Sequence, residues 1–118
     1  MVRPTVLIVD DHEGFRVAAR ALLEAEGFSV VGEAADGRDA LTEVERLRPN
    51  VVLLDIQLPD IDGFSVATCL ATAASPPDVV FVSSRESDTY GLRLANALAR
   101  GFLAKRDLSG AALARLLA

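Results

Sequence analysis

The chain is poor in thiol, imidazole and ammonium groups: its 118 residues include one cysteine, one histidine and a single lysine. One cysteine, Cys69, excludes an intrachain disulfide and leaves a thiolate metal site without partners. Set in an Ala-rich helical stretch, it reads as a small packing residue. His12 alone cannot supply a soft-metal ligand set, and it reads as a surface residue at the start of a helix. No apolar run approaches the roughly 20 residues of a membrane span. Met1-Val2-Arg3-Pro4 passes straight into an apolar segment without the regions of a signal peptide, so a cytoplasmic protein is expected. Basic charge is also in deficit, with 12 Lys+Arg against 17 Asp+Glu and a net charge of −5. That argues against direct binding of nucleic acid, which stays open only as the target of an attached domain. There is no Gly-x-Gly-x-x-Gly phosphate loop, no long-period repeat and no low-complexity segment.

The residues present, 51% hydrophobic and 25% charged, suit one soluble globular domain over 1–118. A chain of this length buries roughly two-thirds of the surface it exposes when unfolded. Of the 12 basic residues 11 are arginine, so Lys105 is marked out. A compact ammonium is not interchangeable with a planar guanidinium.

Short apolar runs alternate with amphipathic stretches. Val6-Leu7-Ile8-Val9 reads as a buried strand ending at Asp10-Asp11, and Val51-Val52-Leu53-Leu54 as another ending at Asp55. Val79-Val80-Phe81-Val82 ends at Ser83-Ser84, and a short strand Gly101-Phe102-Leu103-Ala104 ends at Lys105. A further strand is expected at about Phe28 to Glu33. Phe15, Ala18, Ala19, Leu22 and Leu23 share one face of a helix ending near Gly27. Asp36 is placed to cap a second helix carrying Ala40, Leu41, Val44 and Leu47, which Pro49 stops. The turn-rich loop from Gln57 to Gly63 leads into a third helix through about Ala74. A fourth is expected near Ser87 to Ala99 and a last one from Leu108, with Ala112, Leu113, Leu116 and Leu117 facing the sheet. Five strand-helix pairs with all-apolar strands imply an α/β fold, a doubly wound parallel sheet covered on both faces. In such folds sites form beyond the carboxyl ends of the strands, where Asp10, Asp11, Asp55, Ser83 and Lys105 all fall.

Carboxylates gathered at one edge repel one another unless protonated or bound to a cation. Mg²⁺ suits an oxygen-only set that leaves room for phosphate oxygens. A carboxylate can attack phosphorus to form an aspartyl phosphate. Phosphoryl transfer then asks for neutralisation of the equatorial oxygens, which Mg²⁺, Lys105 and the Ser83 hydroxyl would supply. Taken singly, Asp10 or Asp11 reads equally well as a helix cap, Ser83 as a turn residue and Lys105 as a surface charge.

Asp-Asp-His at 10–12, Leu-Leu-Asp-Ile-Gln-Leu-Pro-Asp-Ile-Asp-Gly around Asp55, Ser-Ser at 83–84 and Gly-Phe-Leu-Ala-Lys at 101–105 strongly resemble the receiver domain of bacterial two-component response regulators. The resemblance covers essentially the whole chain in order. It implies a flavodoxin-like five-stranded sheet in order 2-1-3-4-5 and Asp55 as phosphoacceptor from a histidine kinase or phosphotransfer protein. Asp11 and Asp55 would bind Mg²⁺ directly with the Gln57 carbonyl, and Asp10 largely through water. Ser83 and Phe102 would be the switch pair, Pro59 and Gly63 would shape the loop, and Gln57 and Arg85 would tune the lifetime of the acyl phosphate. Phosphorylation would change a partner-binding or dimerising face near the last two strand-helix pairs, with a homodimer formed through them as one form of that output. Arg106 stands where many relatives have Pro after the lysine, leaving the peptide geometry open. The Val-Asp-Asp-His-Glu segment resembles receivers joined to LuxR-type helix-turn-helix domains, so the chain is either a stand-alone receiver or the N-terminal part of a longer regulator. The domain would signal rather than act as an enzyme, apart from catalysing its own phosphorylation and dephosphorylation. The alternatives are an aspartate-nucleophile phosphatase, which needs an acid where Gln57 stands, and a binding module that works without phosphorylation.

Overall fold

The computed structural model of the chain describes residues 3–84 and 99–118. The five strands are β1 (Thr5–Val9), β2 (Ser29–Ala34), β3 (Val51–Asp55), β4 (Asp78–Ser83) and β5 (Gly101–Ala104). They form one sheet in the order β2-β1-β3-β4-β5, with every neighbouring pair parallel. The described helices are α1 (Glu13–Ala25), α2 (Gly37–Leu47), α3 (Gly63–Leu70) and a C-terminal helix, Gly110–Leu117.

Alternation along the strands builds two cores. Leu7, Val9, Val52, Leu54 and Phe81 face α2 and α3, while Val6, Ile8, Leu53, Val80 and Val82 face α1 and the C-terminal helix. The central strands are buried on both faces, which explains their unbroken apolar runs. Each such side chain contributes about 1.5–3 kcal/mol relative to exposure. Val31 is the exception in an apolar run: the β1–β2 register skips it between Val6 and Leu7, and this bulge leaves it partly exposed.

Local signals set the helix ends. Asp36 accepts from the Asp39 N–H at 2.8 Å, as a cap of α2 should. After α1, Gly27 takes φ 101°, a conformation open to glycine, and Phe28 N–H bonds back to Leu23 O at 3.0 Å. α3 stops at Leu70 rather than near Ala74. The Thr72 hydroxyl takes the Cys69 carbonyl at 2.7 Å and Ala73 N–H bonds to Leu70 O, so the chain tightens into turns before Pro76-Pro77. Cys69 is exposed, not packed, because α3 buries Phe64, Val66, Ala67 and Leu70 on its other side. The last helix begins two residues later than Leu108. Lys105–Asp107 forms a 3₁₀ turn, and the Ser109 hydroxyl then caps the helix by accepting from Ala112 N–H at 3.0 Å. The helix expected near Ser87 to Ala99 lies largely outside the described residues, as does Arg85.

Candidate functional site

Parallel pairing brings the carboxyl ends of β1, β3, β4 and β5 to one edge, and the polar residues that follow the apolar runs meet there. Asp10 follows β1, Asp55 closes β3, Ser83 closes β4 and Lys105 follows β5. Asp10 is fully buried. Its N–H donates to Ala34 O at 3.0 Å, and its Oδ1 accepts from the His12 N–H at 2.8 Å. Oδ2 is held by the Lys105 ammonium 2.6 Å away. Asp10 is therefore not a helix cap; that position falls to His12, whose side chain makes no capping bond.

Asp55 is also buried. Gln57 N–H donates to Oδ1 at 3.0 Å, and Lys105 Nζ lies 3.4 Å from Oδ2. Burial raises its pKa from 3.8 to about 6, with the Asp10 charge adding to the rise and Gln57 N–H and Lys105 opposing it. For Lys105, burial works against the ammonium, but the bond to Asp10 and the charges of Asp55 and Asp10 prevail and raise its pKa. The ammonium also sits 4.7 Å from the centroid of the Phe15 ring, within cation–π range.

Asp11 and His12 form the rim. His12 Nδ1 is 3.1 Å from Asp11 Oδ1 and 3.2 Å from Asp10 Oδ1. One potential ligand atom each from Asp10, Asp11, His12 and Asp55 lie within 4.8 Å of one another. Three carboxylates gather here, of which Asp10 and Asp55 pair with the one lysine, and the excess of negative charge is one that a hard divalent cation offsets. This donor set fits Mg²⁺. The ring of His12 is mostly exposed and at the edge of it.

The loop beyond Asp55 folds back tightly. Gly63 N–H donates to Ile56 O at 2.7 Å, and a Cβ on Gly63 would lie 2.5 Å from the Asp55 carbonyl oxygen. Only glycine permits that approach. Asp60 reaches across to α2, accepting from Gly37 N–H at 2.7 Å and Arg38 N–H at 3.0 Å. Gln57 and Pro59 are exposed. Ser83 is buried and pairs in register with Ala104, two residues beyond the Phe81–Phe102 pair. Phe102 is half-buried against the core that holds Phe64 and Phe81. The Lys105–Arg106 peptide is trans. Phe15, Arg16 and Asp60 belong to the surroundings of the site without having announced it: Phe15 reads as part of a helix face, Asp60 as part of a turn-rich loop, and Arg16 carries no sequence signal of its own.

The family model of the response regulator receiver domain matches residues 6–115. The transcription regulator BvgA of Bordetella pertussis is 38% identical over 102 residues, covering 86% of this chain and 49% of its own. Response regulator GacA of Pseudomonas aeruginosa is 39% identical over 101 residues, 85% of this chain and 47% of its own. The chain thus spans about half the length of these curated relatives. Among solved structures, the signal receiver domain of the response regulator NarL from Mycobacterium tuberculosis superposes with a TM-score of 0.85 at 31% identity, covering 99% of this chain and 98% of that one. Among the described residues no helix is long and apolar enough to cross a membrane.

Proposed function

Since the chain belongs to the response regulator receiver domain family, a phosphorylation-dependent switch of bacterial two-component systems, we propose that Asp55 is its phosphoryl acceptor. The observation that carries this reading is the arrangement of Asp55, buried beside Asp10 with Lys105 bridging both carboxylates. In the transfer, a carboxylate oxygen of Asp55 forms a bond to phosphorus as the bond to the donor breaks, and the donor's imidazole leaves. Gln57 N–H holds Oδ1 of Asp55, which directs the other oxygen, Oδ2, toward the donor. Lys105 offsets charge on the transferred group, and the Ser83 hydroxyl takes a further oxygen, with Phe102 turning inward behind it. Mg²⁺ held by Asp10, Asp11, Asp55 and the Gln57 carbonyl would supply neutralisation of phosphoryl charge when bound. The proximity of these carboxylates supports that ligand set. Pro59 and Gly63 shape the loop, and Gln57 and Arg85 tune the lifetime of the acyl phosphate.

The donor is a histidine kinase or phosphotransfer protein in the cytoplasm, and phosphorylation changes a dimerising or partner-binding face near β5 and the C-terminal helix. The transcription-regulator name of BvgA supports DNA as the eventual target through an attached output domain. Incubation with Mg²⁺ and acetyl phosphate, read by intact mass, tests the acceptor. One phosphoryl adduct is expected on the wild type and none on Asp55→Asn; an equal adduct on both would refute the assignment. Steady turnover of a phosphomonoester would instead point to a phosphatase.

A further inference from the structure

We propose that Arg16 is a positioning residue for the acidic site, fixing the main chain at Asp10 so that the Asp10 and Asp11 carboxylates meet the Asp55 carboxylate. The inference rests on the reading of these acids as a divalent-cation site.

β1 ends at Val9, so the Asp10 carbonyl lies beyond the strand. It is taken by a side chain: Arg16 Nη1 donates to Asp10 O at 2.7 Å. With Asp10 N–H on Ala34 O, the residue is gripped at both ends of its backbone. The orientation of that carbonyl sets the peptide plane joining Asp10 to Asp11, hence the direction in which both carboxylates leave the chain. Arg16 is itself anchored. Its Nε donates to Glu33 Oε1 at 3.0 Å, while Glu33 Oε2 accepts from Arg20 Nε at 2.8 Å. Bonding to Arg20, and next to Arg16, outweighs burial and lowers the Glu33 pKa, so this carboxylate stays ionised between two guanidiniums. The Arg16 side chain is only 16% exposed. A planar guanidinium can serve Glu33 and a carbonyl at once, which a lysine ammonium at the end of a flexible stem does less well.

Arg20 supplies a control within the same network. It shares Glu33, but its Nη1 donates to Val30 O at 3.1 Å, in β2 and away from the acids. Charge and position also make opposite demands. Deleting a cation near an acidic site should strengthen Mg²⁺ binding by simple Coulomb attraction, whereas losing the grip on Asp10 should weaken it.

The test is calorimetric titration of Mg²⁺ into the folded wild type, Arg16→Ala, Arg16→Lys and Arg20→Ala, with amide hydrogen exchange at Asp11 and His12 measured separately without metal. Loss of an outer-shell partner typically costs about 10–100-fold in metal affinity. Arg16→Ala is expected at the lower end of that range with faster exchange at both amides, Arg16→Lys weakened to a lesser degree, and Arg20→Ala unchanged. Should Arg16→Ala fail to fold, Arg16→Lys against Arg20→Ala carries the comparison. Tighter or unchanged Mg²⁺ binding in the Arg16 variants, or an equal loss in Arg20→Ala, overturns the positioning role alone. A wild type that takes up no Mg²⁺ removes the cation-site reading and this inference with it.

Discussion

The Lys105 ammonium lies nearer to Asp10, at 2.6 Å from Oδ2, than to Asp55, at 3.4 Å from Oδ2. The lysine thus pairs first with the deeper acid and leaves the proposed acceptor only partly neutralised. Lys105→Met retains most of the stem but removes the ammonium, and with it the cation–π contact to Phe15, and leaves two buried carboxylates facing each other. Breaking a buried pair costs about 3–5 kcal/mol, and the partial exposure of Lys105 reduces this to about 1–3 kcal/mol. Urea unfolding in EDTA measures it. Saturating Mg²⁺ is expected to restore part of the loss, since ligand at 100 times its Kd adds about 2.7 kcal/mol. Stability equal to wild type in EDTA would contradict the pairing.

Asp55 carries the opposite kind of strain. Burial, followed by the Asp10 charge, raises its pKa from 3.8 to about 6. An acid whose pKa is raised by folding binds its proton more tightly in the native state, so stability falls as pH climbs from 3.8 to about 6 and is level above that window. Asp55→Asn removes the dependence. The variant should match the wild type near the lower limit and exceed it above the upper one, by at most about 3 kcal/mol at 1.36 kcal/mol per unit. Urea midpoints at several pH values in EDTA read the difference. A constant gap, or one that closes as pH rises, would show that Asp55 is not destabilised by its surroundings.

The parallel sheet, the strand positions and the edge where the site forms were legible because they follow from period and burial: short all-apolar runs that stop at a polar residue read as strands buried on both faces, with their polar ends at the sheet rim. The strand order came from resemblance, and the sheet bears it out. Helix ends were less legible. The Thr72 hydroxyl on the Cys69 carbonyl and the Ser109 cap are competitions between neighbouring bonds that no hydrophobic pattern encodes. Cys69 was misjudged for a related reason, since composition cannot say which side of a short helix faces out. Residues that act on the site across sequence distance were hidden altogether. Arg16 bonding Glu33, and Asp60 bonding Gly37, join segments 17 and 23 residues apart that only the folded sheet brings together.

Gly63 tests how closely the loop must approach the acceptor. A methyl group there would fall 2.5 Å from Asp55 O and 2.7 Å from Ile56 Cα, both backbone atoms that cannot swing aside. Gly63→Ala should therefore destabilise by about 1–3 kcal/mol, as overpacking does. It should also shift the Asp55 amide resonance. If the melting temperature and that resonance both stay at their wild-type positions, the contact is not as tight as described.

Asp60 should show a pH signature opposite to that of Asp55. Its carboxylate accepts from Gly37, Arg38 and Ile61 N–H groups, binding the loop after β3 to the first turn of α2. The Gly37 bond is the foremost cause of its lowered pKa, outweighing desolvation. For an acid whose pKa falls on folding, the stabilisation is complete above the unfolded value and lost as pH drops through the folded one. Asp60→Asn should thus be less stable than wild type at neutral pH, and the deficit should shrink on acidification, whereas the Asp55→Asn advantage disappears there. Asp36→Ala separates the clamp from ordinary capping. It removes only the local bond to Asp39 N–H, at about 0.5–2 kcal/mol, and should leave the exchange of the Gln57 and Ile61 amides untouched. Asp60→Asn should accelerate exchange at both Gly37 and Ile61, because one carboxylate holds the two segments together. Acceleration at Gly37 alone would reduce Asp60 to a second cap of α2 with no hold on the loop.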